Sequence, residues 1–248
     1  MPSNERPATL ITGGSRGIGA AIARRLARDG HDLALTYRKR RDDAERVANQ
    51  CRLLGGQVVL LQADLADLTR AEEIVGEASA GLGRLTGLVN NAGITGRIGP
   101  FLETTAAESE LVFRVNVLAP LVITRAAIAE LRAHGGGAIV NISSGAATTG
   151  APNTYIPYAM SKAALNLLSI GAAKEFAADG VRVNTVSPGT TFTEIHADAG
   201  RPNAPEERAP GLAMGRAAYP EEIAGAVAYL LSDDASYTNG ADIKITGG

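Results

Sequence analysis

Residues 8–30 read ATLITGGSRGIGAAIARRLARDG, and the way this stretch divides decides the fold. ATLIT (8–12) is a short apolar run with β-branched residues, the pattern of a buried strand. IGAAIARRLARDG (18–30) repeats its apolar residues at helical spacing and closes on Gly30, as helix C-termini tend to do. Between them lies TGGSRGIG (12–19). Gly13, Gly17 and Gly19 let the chain turn sharply, with Ser15, Arg16 and Ile18 completing the loop. The helix N-terminus that follows offers free N–H groups to a phosphate. A glycine cluster alone is a weak signal, since inert loops use glycine too. Placed between strand and helix, it has the context a dinucleotide site requires, although the spacing is GxxxGxG rather than GxGxxG.

The same alternation runs outward from this unit. Further strand candidates are DLALTY (32–37), QVVLLQ (57–62), TGLVN (86–90), GAIVNIS (137–143), VRVNTVS (181–187) and ADIKIT (241–246), with helix-period segments such as 158–180 between them. Strands apolar on both faces and joined by helical crossovers predict a parallel sheet covered on two sides. The expected fold is α/β: a single-domain, Rossmann-like, doubly wound parallel sheet of about seven strands across residues 1–248. Residues 188–220 are irregular and rich in Pro, Gly and Ala, too long for a plain connection, and are expected to form a substrate lid.

Composition narrows the function. The 248 residues are 45% hydrophobic and 20% charged, with a net charge of −2. Nothing in that balance points to nucleic acid or a membrane surface. The N-terminus places Glu5 and Arg6 ahead of a four-residue apolar run, without a signal-peptide core. The single cysteine, Cys51, excludes an internal disulfide and fits a cytoplasmic location. His31, His134 and His196 show no metal-ligand spacing, so catalysis without a metal is expected. His196 is read as a solvated loop residue, with contact to substrate as the alternative.

The second strand ends in TYRKRR (36–41). An NAD-preferring site usually carries Asp or Glu there to bond the ribose 2′-hydroxyl. Asp32 stands at the wrong end of the strand, and Asp42 and Asp43 begin the next helix. Arg38, with Arg16, is placed to hold a 2′-phosphate. This favours NADP(H) and leaves NAD(H) possible; the alternative is a solvated basic edge.

Residues 155–162 read YIPYAMSK. Lys162 follows Tyr158 by four residues, so on a helix the two share a face, and Pro157 suits its first turn. An ammonium beside a phenol should lower its pKa from about 10, fitting Tyr158 for acid–base work. Alone this spacing is weak, but NISS (141–144) ends one strand with two hydroxyls, NNAG (90–93) ends another, and Asn116 sits within a helical region.

Together TGGSRGIG, NNAG, Asn116, the NISS serine, YAMSK and SPGTTFT (187–193) resemble the short-chain dehydrogenase/reductase family in order and spacing. The resemblance covers nearly the whole chain and extends to its 3-oxoacyl-carrier-protein reductase and glucose dehydrogenase-like branch. It implies Tyr158 as acid/base, Lys162 as the residue that lowers its pKa and binds the nicotinamide ribose, Ser144 as the group polarising the substrate oxygen, and Asn116 as holder of a relay water. Ser144 precedes Tyr158 by 14 residues where 13 is commoner. The resemblance also puts Tyr37, Arg38, Asp64 and Leu65 at the adenosine end, Asn90, Ala92 and Gly93 along the ribose side, and Pro188, Gly189, Thr191 and Thr193 at the nicotinamide and phosphates. A turn-capping role is the alternative for Asp64.

The expected substrate is a small ketone, aldehyde or secondary alcohol. The segments expected to choose it, Ile94–Phe101, Ala146, 150–155 and 190–215, read as apolar to weakly polar, with Glu194 and His196 the polar exceptions. Carrier-linked 3-oxoacyl reduction ranks lower, because Asp179 opposes an acidic partner and Arg132 is the one firm cation nearby; sugar dehydrogenation is a further option. A non-catalytic dinucleotide sensor is the alternative of another class, and it would be expected to have lost the tyrosine or lysine. The resemblance implies a homotetramer, with a dimer second.

Overall fold

Seven apolar runs become seven strands: β1 (Ala8–Ile11), β2 (Asp32–Tyr37), β3 (Val58–Gln62), β4 (Gly87–Asn90), β5 (Gly137–Ile142), β6 (Val181–Pro188) and β7 (Asp242–Ile245). The structure is a computed structural model and describes residues 6–248; Met1 to Glu5 lie outside it. Strand order is β3-β2-β1-β4-β5-β6-β7, every pair parallel. The chain therefore leaves β1 in one direction and returns to its other side with β4. That reversal opens a crevice at the carboxyl ends of the strands, where such sheets bind ligands.

Helices α1 (Gly17–Arg28), α2 (Arg41–Leu53), α3 (Leu68–Leu82), α4 (Ala106–Phe113), α5 (Ala119–Ala133), α6 (Ala146–Thr149), α7 (Ile156–Glu175), α8 (Ala204–Arg208) and α9 (Pro220–Leu231) supply the crossovers and the site. The period of two in β1 shows how both faces are covered. Ile11 joins Ile22, Leu26, Val47, Ile223 and Val227 of α1, α2 and α9. Its neighbour Leu10 joins Ile74, Ile123 and Leu131 of α3 and α5 on the other face. Burying side chains of this size contributes about 1.5–3 kcal/mol each.

Local signals set the helix ends. Asp67 caps α3, its side chain accepting from Thr69 N at 3.0 Å and Arg70 N at 3.2 Å. Thr105 and Glu108 form a reciprocal capping box at α4. Pro157 occupies the first turn of α7, but that helix stops at Glu175 instead of running to 180. A 3₁₀ turn (Ala177–Asp179) and Gly180 at φ 75° finish the segment.

One departure from the sequence expectation lies between α4 and α5. Residues Arg114–Leu118 form a π-helical turn, a rare widening that often marks functional sites. The run Ala106–Ala133 is apolar, with mean hydropathy 1.7 in its most apolar window, and half of that window is buried inside the protein. Residues 188–220 hold only the short α8, a 3₁₀ turn (Ala209–Gly211) and a bridge between Thr191 and Ala218.

Candidate active site

A cleft of about 1250 Å³ runs across the carboxyl ends of the strands, at the upper limit of or beyond the ~300–1,000 Å³ usual for a single small ligand. Gly13, Ser15, Arg16, Gly17, Ile18 and Gly19 line one end. The loop is a cradle of bare backbone: a β-carbon at Gly19 would overlap the Gly13 carbonyl oxygen and approach Asn91 Nδ2 to 2.5 Å. Asn91 Nδ2 pins the loop by donating to Thr12 O at 2.9 Å and Gly13 O at 3.1 Å. Exposed N–H groups at the head of a twelve-residue helix fit the pyrophosphate of a dinucleotide.

Tyr37, Arg38, Asp64 and Leu65 line the same end, with Lys39 and Arg40. Asp64 also has its turn role, Oδ1 accepting from Ala66 N at 3.0 Å. Arg16 is engaged otherwise than expected. Its guanidinium forms a two-pronged ion pair with Asp198 of the 188–220 segment, which raises the Arg16 pKa and lowers that of Asp198. Among the described residues, no carboxylate lies within ion-pair distance of Arg38.

Asn90 needs correction. Its side chain is buried beneath the site, Nδ2 donating to Thr124 Oγ1 at 2.9 Å and Asn141 Oδ1 at 2.8 Å. Asn141 in turn donates to Ser169 Oγ at 2.8 Å, and Thr185 Oγ1 donates to the same oxygen at 2.8 Å. This polar network ties β4, β5 and β6 to α5 and α7. The cleft wall is made by Asn91, Ala92 and Gly93 instead; the strand alternation turns Asn90 inward.

At the other end of the cleft stand Ser144, Tyr158 and Lys162. Ser144 stands beside the Tyr158 phenol and lowers its pKa, and it accepts from Ala146 N at 3.1 Å. Ser143 donates to Lys162 O at 3.2 Å, so the second serine of NISS is the one that meets the tyrosine. The extra residue in the 145–157 loop leaves that register intact. Lys162 Nζ donates to Ile142 O at 2.8 Å and lies 5.7 Å from the Tyr158 ring centroid.

The expected depression of the phenol by Lys162 is not what this geometry gives. Burial pushes Tyr158 above its ordinary value, Ser144 pulls it down, and Tyr155 pushes it up again. Burial also pulls Lys162 down to about 8. Desolvation alone sets Lys162, and at Tyr158 it outweighs the lowering by Ser144.

Asn116 lies in the π turn, fully buried and outside the cleft wall. Oδ1 accepts from Ile94 N at 2.9 Å, while Nδ2 donates to Ile94 O at 2.8 Å and Ser161 Oγ at 3.0 Å. Ser161 donates to Tyr158 O at 2.7 Å. The side chain is thus a clamp between the Gly93 turn and α7, rather than a free amide facing the cleft. Gly93 suits this close packing: a β-carbon there would sit 3.1 Å from Asn116 Oδ1 and 3.4 Å from Lys162 Nζ. Pro188, Gly189, Thr191 and Thr193 line the wall between the two ends.

Three cleft groups, His196, Arg208 and Tyr155, pack together beside Tyr158. His196 is buried, not solvated, and its ring stacks on Tyr155 at 6.3 Å. Arg208 Nη1 donates to Tyr155 Oη at 3.1 Å. The Tyr155 ring meets Tyr158 edge-on, with centroids 5.1 Å apart. The segment that brings Arg208 here has no regular period, so no sequence signal announced it.

Residues 13–248 match the family described as enoyl-(acyl carrier protein) reductase. An uncharacterized oxidoreductase of Escherichia coli K12, YgfF, is 38% identical over 242 residues, 96% of this chain and 98% of its own. The 3-oxoacyl-[acyl-carrier-protein] reductase FabG of Staphylococcus aureus is 33% identical over 239 residues, 96% of each chain. The crystal structure of a short-chain dehydrogenase from Burkholderia cenocepacia in complex with NADP superposes with TM-score 0.89 at 37% identity, covering 98% of this chain and 97% of that one.

Proposed function

The chain belongs to the short-chain dehydrogenase/reductase family, and from that premise we propose that it is an NADP(H)-dependent reductase of small ketones or aldehydes, working in reverse on secondary alcohols. The observation that carries this reading is that Ser144, buried Tyr158 and buried Lys162 line the same cleft as a glycine-loop cradle. The glycine loop and the Pro188–Thr193 wall hold the dinucleotide, with Arg38, which has no carboxylate partner among the described residues, facing its 2′-phosphate. When bound, the reduced nicotinamide supplies the hydride that adds to the carbonyl carbon.

The protein's own residues manage the proton. Burial keeps Tyr158 protonated, which is the state a reduction needs. Ser144 and Tyr158 donate hydrogen bonds to the carbonyl oxygen as charge builds on it. The Tyr158 proton then passes to that oxygen, leaving an alcohol and a phenolate. Only at that point does Lys162 gain an anion to stabilise in its buried surroundings, so its effect falls on the transition state rather than the resting site. Asn116 acts as a positioning residue, holding the Gly93 turn against the Tyr158 helix.

Carrier-linked 3-oxoacyl reduction is a second reading, supported by the likeness to the Staphylococcus reductase. Against it, Arg132 lies 3.1 Å from Asp179, which occupies the cation expected to face an acidic carrier. Residues 188–220 are assigned the lid role because Asp198, His196 and Arg208 reach across to Arg16 and Tyr155. Exposed Leu111, Leu118, Leu121, Met160 and Leu167 along α4, the π turn, α5 and α7 support a homotetramer, or a dimer; a monomeric mass in light scattering would contradict both. The activity is tested by NADPH oxidation, with NADH alongside, over free ketones, aldehydes and 3-oxoacyl thioesters. Turnover of free carbonyls with NADPH supports the reading; turnover confined to carrier thioesters favours the second one.

A further inference from the structure

Arg208 is out of keeping with a cleft for plain carbonyl compounds. It is half-buried at the end of α8 and lines the cleft with Tyr155, Tyr158 and His196. Its guanidinium lies over the Tyr155 ring, 5.6 Å from the centroid, and donates to the phenol oxygen at 3.1 Å. Neighbouring cations are neutralised: Arg201 of the lid pairs with Glu207 at 2.5 Å, and Arg16 of the glycine loop with Asp198. Arg208 has no carboxylate within ion-pair distance among the described residues. The carboxylates that line the cleft are engaged elsewhere. Asp198 holds Arg16, Asp64 bonds its own turn, and the charge of Glu194 acts on Arg16.

We propose that Arg208, braced on Tyr155, recognises a carboxylate on the substrate, so that the carbonyl compound reduced at Tyr158 is a short oxo acid. The inference rests on the reductase reading for the carbonyl end and on Arg208 for the acid end. One aromatic ring separates them, since Tyr155 touches both Tyr158 and Arg208. A guanidinium with a fixed edge already anchored on a phenol presents its remaining N–H groups to a carboxylate in a set orientation.

His196 shapes the same subsite. Its Nδ1 is buried and has no hydrogen-bond partner, an arrangement that native interiors rarely leave unexplained. Burial, Arg208 and Arg201 hold its pKa down to about 4, so the imidazole is neutral at working pH. The subsite therefore carries one positive charge, matching one carboxylate rather than a phosphate dianion.

The test uses cofactor-loaded protein and a series of 3-, 4- and 5-oxo acids beside their methyl esters. Binding is measured by calorimetry, with turnover recorded separately, for the wild type, Arg208→Leu and Arg208→Lys. A charge-assisted contact predicts that the best acid binds about tenfold or more tighter than its ester, that Arg208→Leu abolishes the preference, and that Arg208→Lys keeps part of it. Acid and ester binding alike in the wild type, or a preference that survives Arg208→Leu, overturns the proposal. So does an equal weakening of both ligands, which is what a purely structural brace on Tyr155 would give. The two readings fail separately. Arg208-dependent acid binding without any reduction refutes the reductase; Tyr158-dependent reduction of esters without acid preference refutes the carboxylate subsite.

Discussion

Replacing Lys162 with Met tests whether the site holds a charge at the expense of stability. Lys162 has an ordinary pKa of 10.5 in the unfolded chain and about 8 in the fold, because burial disfavours the ammonium. Between those values the unfolded chain binds a proton that the folded protein has shed, so stability must rise with pH. The burden is full below pH 8 and is relieved as pH climbs toward 10.5. At pH 7 it amounts to roughly 3 kcal/mol, and by pH 9.5 to a little over 1 kcal/mol, a relief of about 2 kcal/mol. Lys162→Met removes this titration. It also strips Ile142 O of its 2.8 Å donor, a loss of about 1–3 kcal/mol that does not vary with pH. Urea unfolding of both proteins at pH 7 and 9.5 separates the two effects. The wild type should gain about 2 kcal/mol on the variant across that interval, whatever their offset at pH 7. Stability curves that stay parallel would refute the buried-charge reasoning. Working below pH 10 keeps tyrosine ionisation out of the comparison, and burial pushes Tyr158 higher still.

Two further substitutions probe the cofactor end. In Gly19→Ala the new methyl overlaps the Gly13 carbonyl and crowds Asn91 Nδ2, so the loop must shift; we expect about 1–3 kcal/mol of destabilisation by thermal melting and a larger loss of NADPH affinity by fluorescence titration. Asp198→Asn frees Arg16 from its ion pair and removes a negative charge from the 2′-phosphate end. Stability should change by less than about 1 kcal/mol, while the ratio of NADPH to NADH affinity rises several-fold; an unchanged ratio would mean that Arg16 plays no part in phosphate binding.

How much of this was legible beforehand depends on how local the signal was. All seven strands were readable to within a residue or so at their ends, because β-branched runs of four to eight residues sit between segments of helical period. Ser144 and Tyr158 were placed by motif, and the fold brings them side by side through an irregular loop. Asn90 was misplaced because NNAG does not show which asparagine the strand's last alternation turns inward. The π turn around Asn116 left no periodic trace, since a single extra residue per turn is invisible over five positions. Arg208 and His196 gain their roles only from long-range packing on Tyr155. The depressed pKa of Lys162 is likewise a property of burial, which a four-residue spacing does not encode.

The most direct measurement is the comparison of Tyr158→Phe with wild type, reading NADPH binding and carbonyl reduction in the same preparations. The phenol hydroxyl is the proton source in this account, while the glycine loop that holds the cofactor stands at the opposite end of the cleft. The variant should therefore keep its NADPH affinity within about threefold and lose about 10²–10⁴ in kcat, the range for a general acid. A variant that binds NADPH and still turns over at a rate near wild type would contradict the assignment of Tyr158 and, with it, the proposed mechanism.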